Sequence, residues 1–156
     1  MKESFDEAVQ ELKRVDHLVW VSLKNTRTVD VIKHVIDRII SGIGFGLESI
    51  LKYAKEKKLV SAIPDNAGLR TDLLKEIFSD NAEIMDYVNF YIRLRKLSRA
   101  DYTKREEFRR HVTMIATIDK GEVVEVSIDT LKEYYEKTRV FLHFVKRTIN
   151  EEKEVE

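Results

Sequence analysis

Apolar residues recur at three- and four-residue intervals over most of the chain, the pattern of amphipathic helices that bury one face. Phe5, Val9, Leu12, Val15, Val19 and Leu23 mark the first stripe, and Ala8, Leu18 and Trp20 widen it toward a core. Ser4-Phe5-Asp6-Glu7 reads as a capping box that starts this helix, which the pattern carries to about residue 24. Asn25-Thr26-Arg27-Thr28 interrupts it. A second stripe through Val29, Ile32, Ile36, Ile43, Leu47, Ile50 and Ala54 predicts a helix to about residue 57, about 40 Å long at ~1.5 Å per residue. Residues 58–68 hold the sole proline, Pro64, and predict the longest connection, followed by a short helix over about 69–78. Ser79-Asp80-Asn81 then caps another helix over about 82–99.

Beyond it, Thr103-Lys104-Arg105-Glu106 has the form of a second capping box and predicts a short helical segment to about Arg110. The period then changes. Val112 to Ile118 is rich in β-branched residues, Asp119-Lys120-Gly121 is a turn, and Glu122 to Val126 follows, which predicts a β-hairpin. Ser127 caps a last long helix to about Ile149. The expectation is a mainly α fold: an up-and-down antiparallel bundle of four to five long helices with a small β-hairpin inserted before the last helix. One domain spans 1–149, and an acidic, frayed tail occupies 150–156.

Composition narrows what such a bundle can do. Among 156 residues, 28 Lys and Arg balance 28 Asp and Glu, so no global field selects a partner. The absence of cysteine excludes disulfides, thiolate metal sites and cysteine nucleophiles, and fits a cytoplasmic location. No apolar run approaches the roughly 20 residues that span a bilayer, so no membrane partner is expected. The scarcity of glutamine and proline beside many Lys, Arg and Glu leans toward a heat-adapted protein.

Two local features stand out. Ser41-Gly42-Ile43-Gly44-Phe45-Gly46 has the look of a dinucleotide-binding glycine loop, but it lies inside a helical stripe with no preceding strand. Three helical glycines cost about 3 kcal/mol relative to alanine. Gly42 and Gly46, four apart, predict close approach of a neighbouring helix, within the chain or across a dimer interface, with a kink as the alternative. The second feature is the segment from Arg93 to His111, where eight basic residues face only Asp101, Glu106 and Glu107. Its arginines suit phosphate and Tyr102 suits stacking on a base, whereas a solvated helix end is the plainer reading. His17 and His34 read as surface residues and His143, among Phe141, Leu142 and Phe144, as a packed or boundary one, and no histidine pairing suggests a metal site. His111, six residues after Arg105, offers an imidazole beside a guanidinium, a pair suited to cutting a phosphodiester.

The order Asp65-Asn66-Ala67-Gly68-Leu69-Arg70-Thr71-Asp72-Leu73-Leu74, Leu94-Arg95-Lys96-Leu97-Ser98-Arg99-Ala100-Asp101-Tyr102 and Val126-Ser127-Ile128-Asp129-Thr130-Leu131 resembles HEPN domains over about residues 30–147. Those are the small helical bundles of prokaryotic toxin–antitoxin modules and minimal nucleotidyltransferase partners. The resemblance implies a dimeric bundle that binds nucleotide or RNA, with a nucleotidyltransferase or antitoxin as a possible partner. Active members carry an arginine, a polar residue and a histidine four to six residues after the arginine. Those positions fall here on Arg95, Lys96 and Ala100, and alanine cannot move a proton. The expectation is therefore a noncatalytic HEPN-like nucleotide- or RNA-binding homodimer without cofactor or metal, using Arg95, Arg99, Tyr102, Arg105 and Arg109. A metal-independent ribonuclease using Arg105 and His111 is the first alternative. A structural adaptor docking through Gly42 and Gly46 is the second.

Overall fold

A computed structural model describes the backbone of residues 1–155 and the side chains through Asn150. Five helices and a three-stranded antiparallel sheet make up the fold, with the sheet placed before the last helix. Helix α1 runs over Lys2–His17, widens into a π segment at Leu18–Ser22, and ends with Leu23–Asn25. Helix α2 spans Val29–Glu56, α3 Ala67–Ile77, α4 Ala82–Arg99 and α5 Ile128–Val155. The acidic tail expected over 150–156 lies, for the side chains that would define it, outside the described residues. Among the described residues no helix is long and apolar enough to cross a membrane.

Helix α2 is the central element, packed by α1, α4 and α5, and its Ile32, Val35, Ile36, Ile39, Ile50 and Leu51 are fully buried. Thr28, Asn66 and Asn81 cap α2, α3 and α4 by accepting from Val31 N, Leu69 N and Ile84 N. The glycines do not break α2. A Cβ on Gly42 would stand 3.5 Å from Glu11 Cβ on α1, one on Gly44 3.4 Å from the Tyr91 hydroxyl on α4, and one on Gly46 2.5 Å from Phe141 on α5. Each glycine admits a different neighbour, so the close approach happens inside the chain. Gly42 and Gly46 are buried there, and the interface expected at them for a second copy is filled by this chain's own α1 and α5.

Four local expectations are corrected. Helix α1 begins at Lys2, so Ser4 is not its cap; Ser4 is buried and its Oγ accepts from Lys52 Nζ at 2.7 Å. Trp20 is not in the core but 49% exposed. Thr103-Lys104-Arg105-Glu106 does not start a helix, because Asp101–Arg105 forms strand β1, paired with β2 (Thr113–Ile118), which pairs in turn with β3 (Glu122–Ser127). The hairpin thus supplies the central strand and one edge of a three-stranded sheet. A capping box is a purely local signal, and the ladder that β1 gains on β2 outweighs it. His143 lies exposed on α5, 3.3 Å from an Arg139 nitrogen, rather than packed among its aromatic neighbours.

The sheet buries Met114, Ala116, Ile118 and Val126 against the helices, and period-2 alternation leaves Thr103, Arg105, Ile115, Thr117, Val123 and Glu125 on the outer face. Ser127 closes β3 and opens α5 in one step. Its Oγ accepts from Thr130 N at 3.2 Å, and its own N–H donates to Thr130 Oγ1 at 3.1 Å.

Candidate functional site

A cleft of about 950 Å³ lies where the end of α1, the loop after β1 and the first turn of α5 meet. Its size is at the upper end of ordinary ligand clefts, about 300–1,000 Å³. Val19, Trp20, Leu23, Lys24 and Arg27 form one wall, Arg105, Glu106, Arg110, His111 and Thr113 the second, and Glu125, Ser127 to Thr130 and Lys132 the third.

The π segment shapes the first wall. Val15, Val19 and Leu23 are all buried at four-residue spacing. On a regular α-helix that spacing drifts about 40° per step. The wider turn, in which Leu23 N–H reaches back to Leu18 O, absorbs the drift and keeps the stripe inward. Trp20 and Val21, about 100° and 200° around the helix from the buried Val19, face outward, and Trp20 enters the cleft. The Lys132 ammonium stands 4.6 Å from the Trp20 ring centroid.

The second wall is held by its contacts with the α1–α2 junction. Phe108 N–H donates to Arg27 O at 2.7 Å, Val29 N–H to Glu107 Oε1 at 3.4 Å, and Lys104 lies 3.9 Å from Asp30 and 3.5 Å from Glu107. Asp30 first, and Glu107 second, raise the Lys104 ammonium above its ordinary range. The loop turns through two non-glycine residues with positive φ, Glu106 at 53° and Phe108 at 67°. Such backbone persists only where surrounding contacts impose it.

The cleft's charge is uneven. Five cations, Lys24, Arg27, Arg105, Arg110 and Lys132, line it with His111 against three carboxylates, Glu106, Glu125 and Asp129. Arg105 is engaged by Glu125 at 2.8 Å, a bond that raises the guanidinium and holds the Glu125 carboxyl below its usual range. Arg27 Nε is the buried side-chain nitrogen that lacks a hydrogen-bond partner among the described residues. A buried unpaired donor is costly, by about 1–3 kcal/mol.

The residues expected to act together are divided. Arg105 and His111 line the same cleft. Arg95 instead lies 5.7 Å from the Tyr91 ring on α4, and Arg99 and Arg109 are exposed elsewhere. Tyr102 is half-buried on the opposite face of the sheet from Arg105, with Lys33 Nζ 4.7 Å from its ring, so it is not a free stacking surface in this cleft. Much of the basic excess between Arg93 and His111 is also paired, Arg93 with Glu122 at 3.2 Å and Lys96 with Asp119 at 2.9 Å. Lys24, Arg27 and Lys132 escaped the sequence reading because they lie far from that segment. The interruption at Asn25 to Thr28 was the one local hint of them.

Compared with protein families, curated proteins and solved structures, the chain matches none.

Proposed function

We propose that this chain is a noncatalytic nucleotide- or RNA-binding module, as the resemblance to HEPN bundles implies, with helices in up-and-down order and the α1–β1–α5 cleft as its phosphate site. The observation that carries this reading is the convergence of five cations from separate parts of the chain on one cleft. Such clustering in a chain of zero net charge creates a local positive field, and arginine forks suit phosphate oxygens. The unpaired Arg27 Nε supports it, since a phosphate oxygen is the kind of acceptor that this donor lacks. The test is retention of a short single-stranded RNA at low salt by the purified protein and by an Arg27→Ala, Arg110→Ala double variant. Retention by the parent and its loss in the variant are expected. Equal retention by both would move the site elsewhere.

The ribonuclease alternative is favoured by a narrower observation, the presence of Arg105 and His111 on one wall. In that reading Arg105 stabilises phosphate charge and His111 carries the proton. Cleavage in the presence of chelator that survives His111→Ala unchanged would dismiss it.

A further inference from the structure

We propose that Trp20 is a base-stacking platform, so that the cleft takes an unpaired nucleotide of a single-stranded RNA rather than phosphate alone. This rests on the cleft being the phosphate site. Trp20 is the chain's only tryptophan, and it lies about 100° around the helix from the buried Val19. There it presents a half-exposed indole to a cleft lined mainly by charged and polar groups, with Val19, Leu23 and Ile128 as its other apolar residues. About half of Trp20 is open to water, and among the described residues the Lys132 ammonium is the cation that stands over its ring. A base has the flat π face that matches an indole, and stacking on it is tolerant of base identity. The base takes the place of Lys132 over the ring, and the displaced ammonium turns to the phosphate beside Lys24 and Arg27.

A duplex cannot use this platform, because its bases are already stacked on one another. Single-stranded RNA therefore gains two sets of contacts, cations on the backbone and indole on a base, where a bare polyphosphate gains one.

Because Trp20 is the sole tryptophan, its fluorescence reads the platform directly. Oligouridylate, its duplex with oligoadenylate, and inorganic tripolyphosphate are titrated into the full chain at low salt, with binding of labelled oligouridylate followed in parallel. Quenching of emission by oligouridylate, and not by the duplex or tripolyphosphate, is expected. Trp20→Ala should weaken oligouridylate binding about tenfold, leave tripolyphosphate binding unchanged, and be largely rescued by Trp20→Phe. Circular dichroism confirms that each variant is folded. Oligouridylate binding without quenching, or with full affinity in Trp20→Ala, overturns the platform and leaves the phosphate site standing. A parent chain that binds neither oligouridylate nor tripolyphosphate overturns both.

Discussion

Two glycines four residues apart make opposite predictions. At Gly42 an added methyl would meet Glu11 Cβ at 3.5 Å and Ala8 O at 3.8 Å, ordinary van der Waals contacts. Gly42→Ala should therefore keep the fold and gain up to about 1 kcal/mol from helix propensity. At Gly46 the methyl would stand 2.5 Å from the Phe141 ring, which is fully buried and packed 4.7 Å from Tyr87. Overpacking of about 1–3 kcal/mol then exceeds the propensity gain, and Gly46→Ala should be destabilising. Urea denaturation of the two variants reads the signs, and destabilisation of similar size in both would refute this assignment. Charge at the cleft is equally local. Glu125 holds Arg105 at 2.8 Å, so Glu125→Gln should free a guanidinium and tighten oligouridylate binding about threefold. The carboxyl's depressed pKa also sets the pH sense. The pair's small contribution to folding is present above the usual glutamate range and is lost as pH falls through the depressed value. Labelled-oligouridylate binding by the variant checks the release of Arg105, and unchanged affinity would show that Arg105 does not reach the ligand.

Elements were legible in the sequence where a side chain acts on its own backbone. Asn81 with a helix over Ala82–Arg99, and Ser127 before α5, are short-range signals, and the structure has both. What was not legible depends on partners distant in sequence. Asp101–Arg105 becomes a strand only because β2 offers it a ladder, and Leu23 stays in the buried stripe because a π turn meets its four-residue spacing. The cleft unites residues more than a hundred positions apart, which no local motif announces. The loop after β1 carries a cost of its own. Phe108 is 77% exposed at φ 67°, a backbone position unfavourable for an L side chain by about 1–2 kcal/mol. Phe108→Gly keeps the N–H that bonds Arg27 O while removing that cost, and glycine's greater unfolded-state freedom offsets part of the gain. A rise in melting temperature of about 1–4 °C is expected by calorimetry. A fall would mean that the exposed ring has a stabilising contact of its own.

At the scale of the molecule, 28 positive and 28 negative side chains cancel, so long-range attraction cannot bring an anionic polymer to this chain. The electrostatic part of any affinity for RNA then comes from the few cations that share the cleft, and its salt dependence counts them. Arg105 is already engaged by Glu125, which leaves Lys24, Arg27, Arg110 and Lys132 as the cleft cations able to displace counterions. For a single strand each neutralised phosphate contributes about −0.7 to the slope of log K against log salt, so four give a slope of about −3. Glu125→Gln should steepen it by about 0.7, because a fifth cation then reaches phosphate. A basic surface spread over Arg93 to His111 would give a different result, since Arg95, Arg99 and Arg109 lie outside the cleft and would respond to their own removal. Measuring the slope for the parent, for Arg27→Ala with Arg110→Ala, and for Arg95→Ala with Arg99→Ala separates the two. The cleft predicts that the first pair flattens the slope to about half and that the second leaves it unchanged. A slope near zero in the parent would mean that phosphate contributes nothing to binding, however tight that binding is.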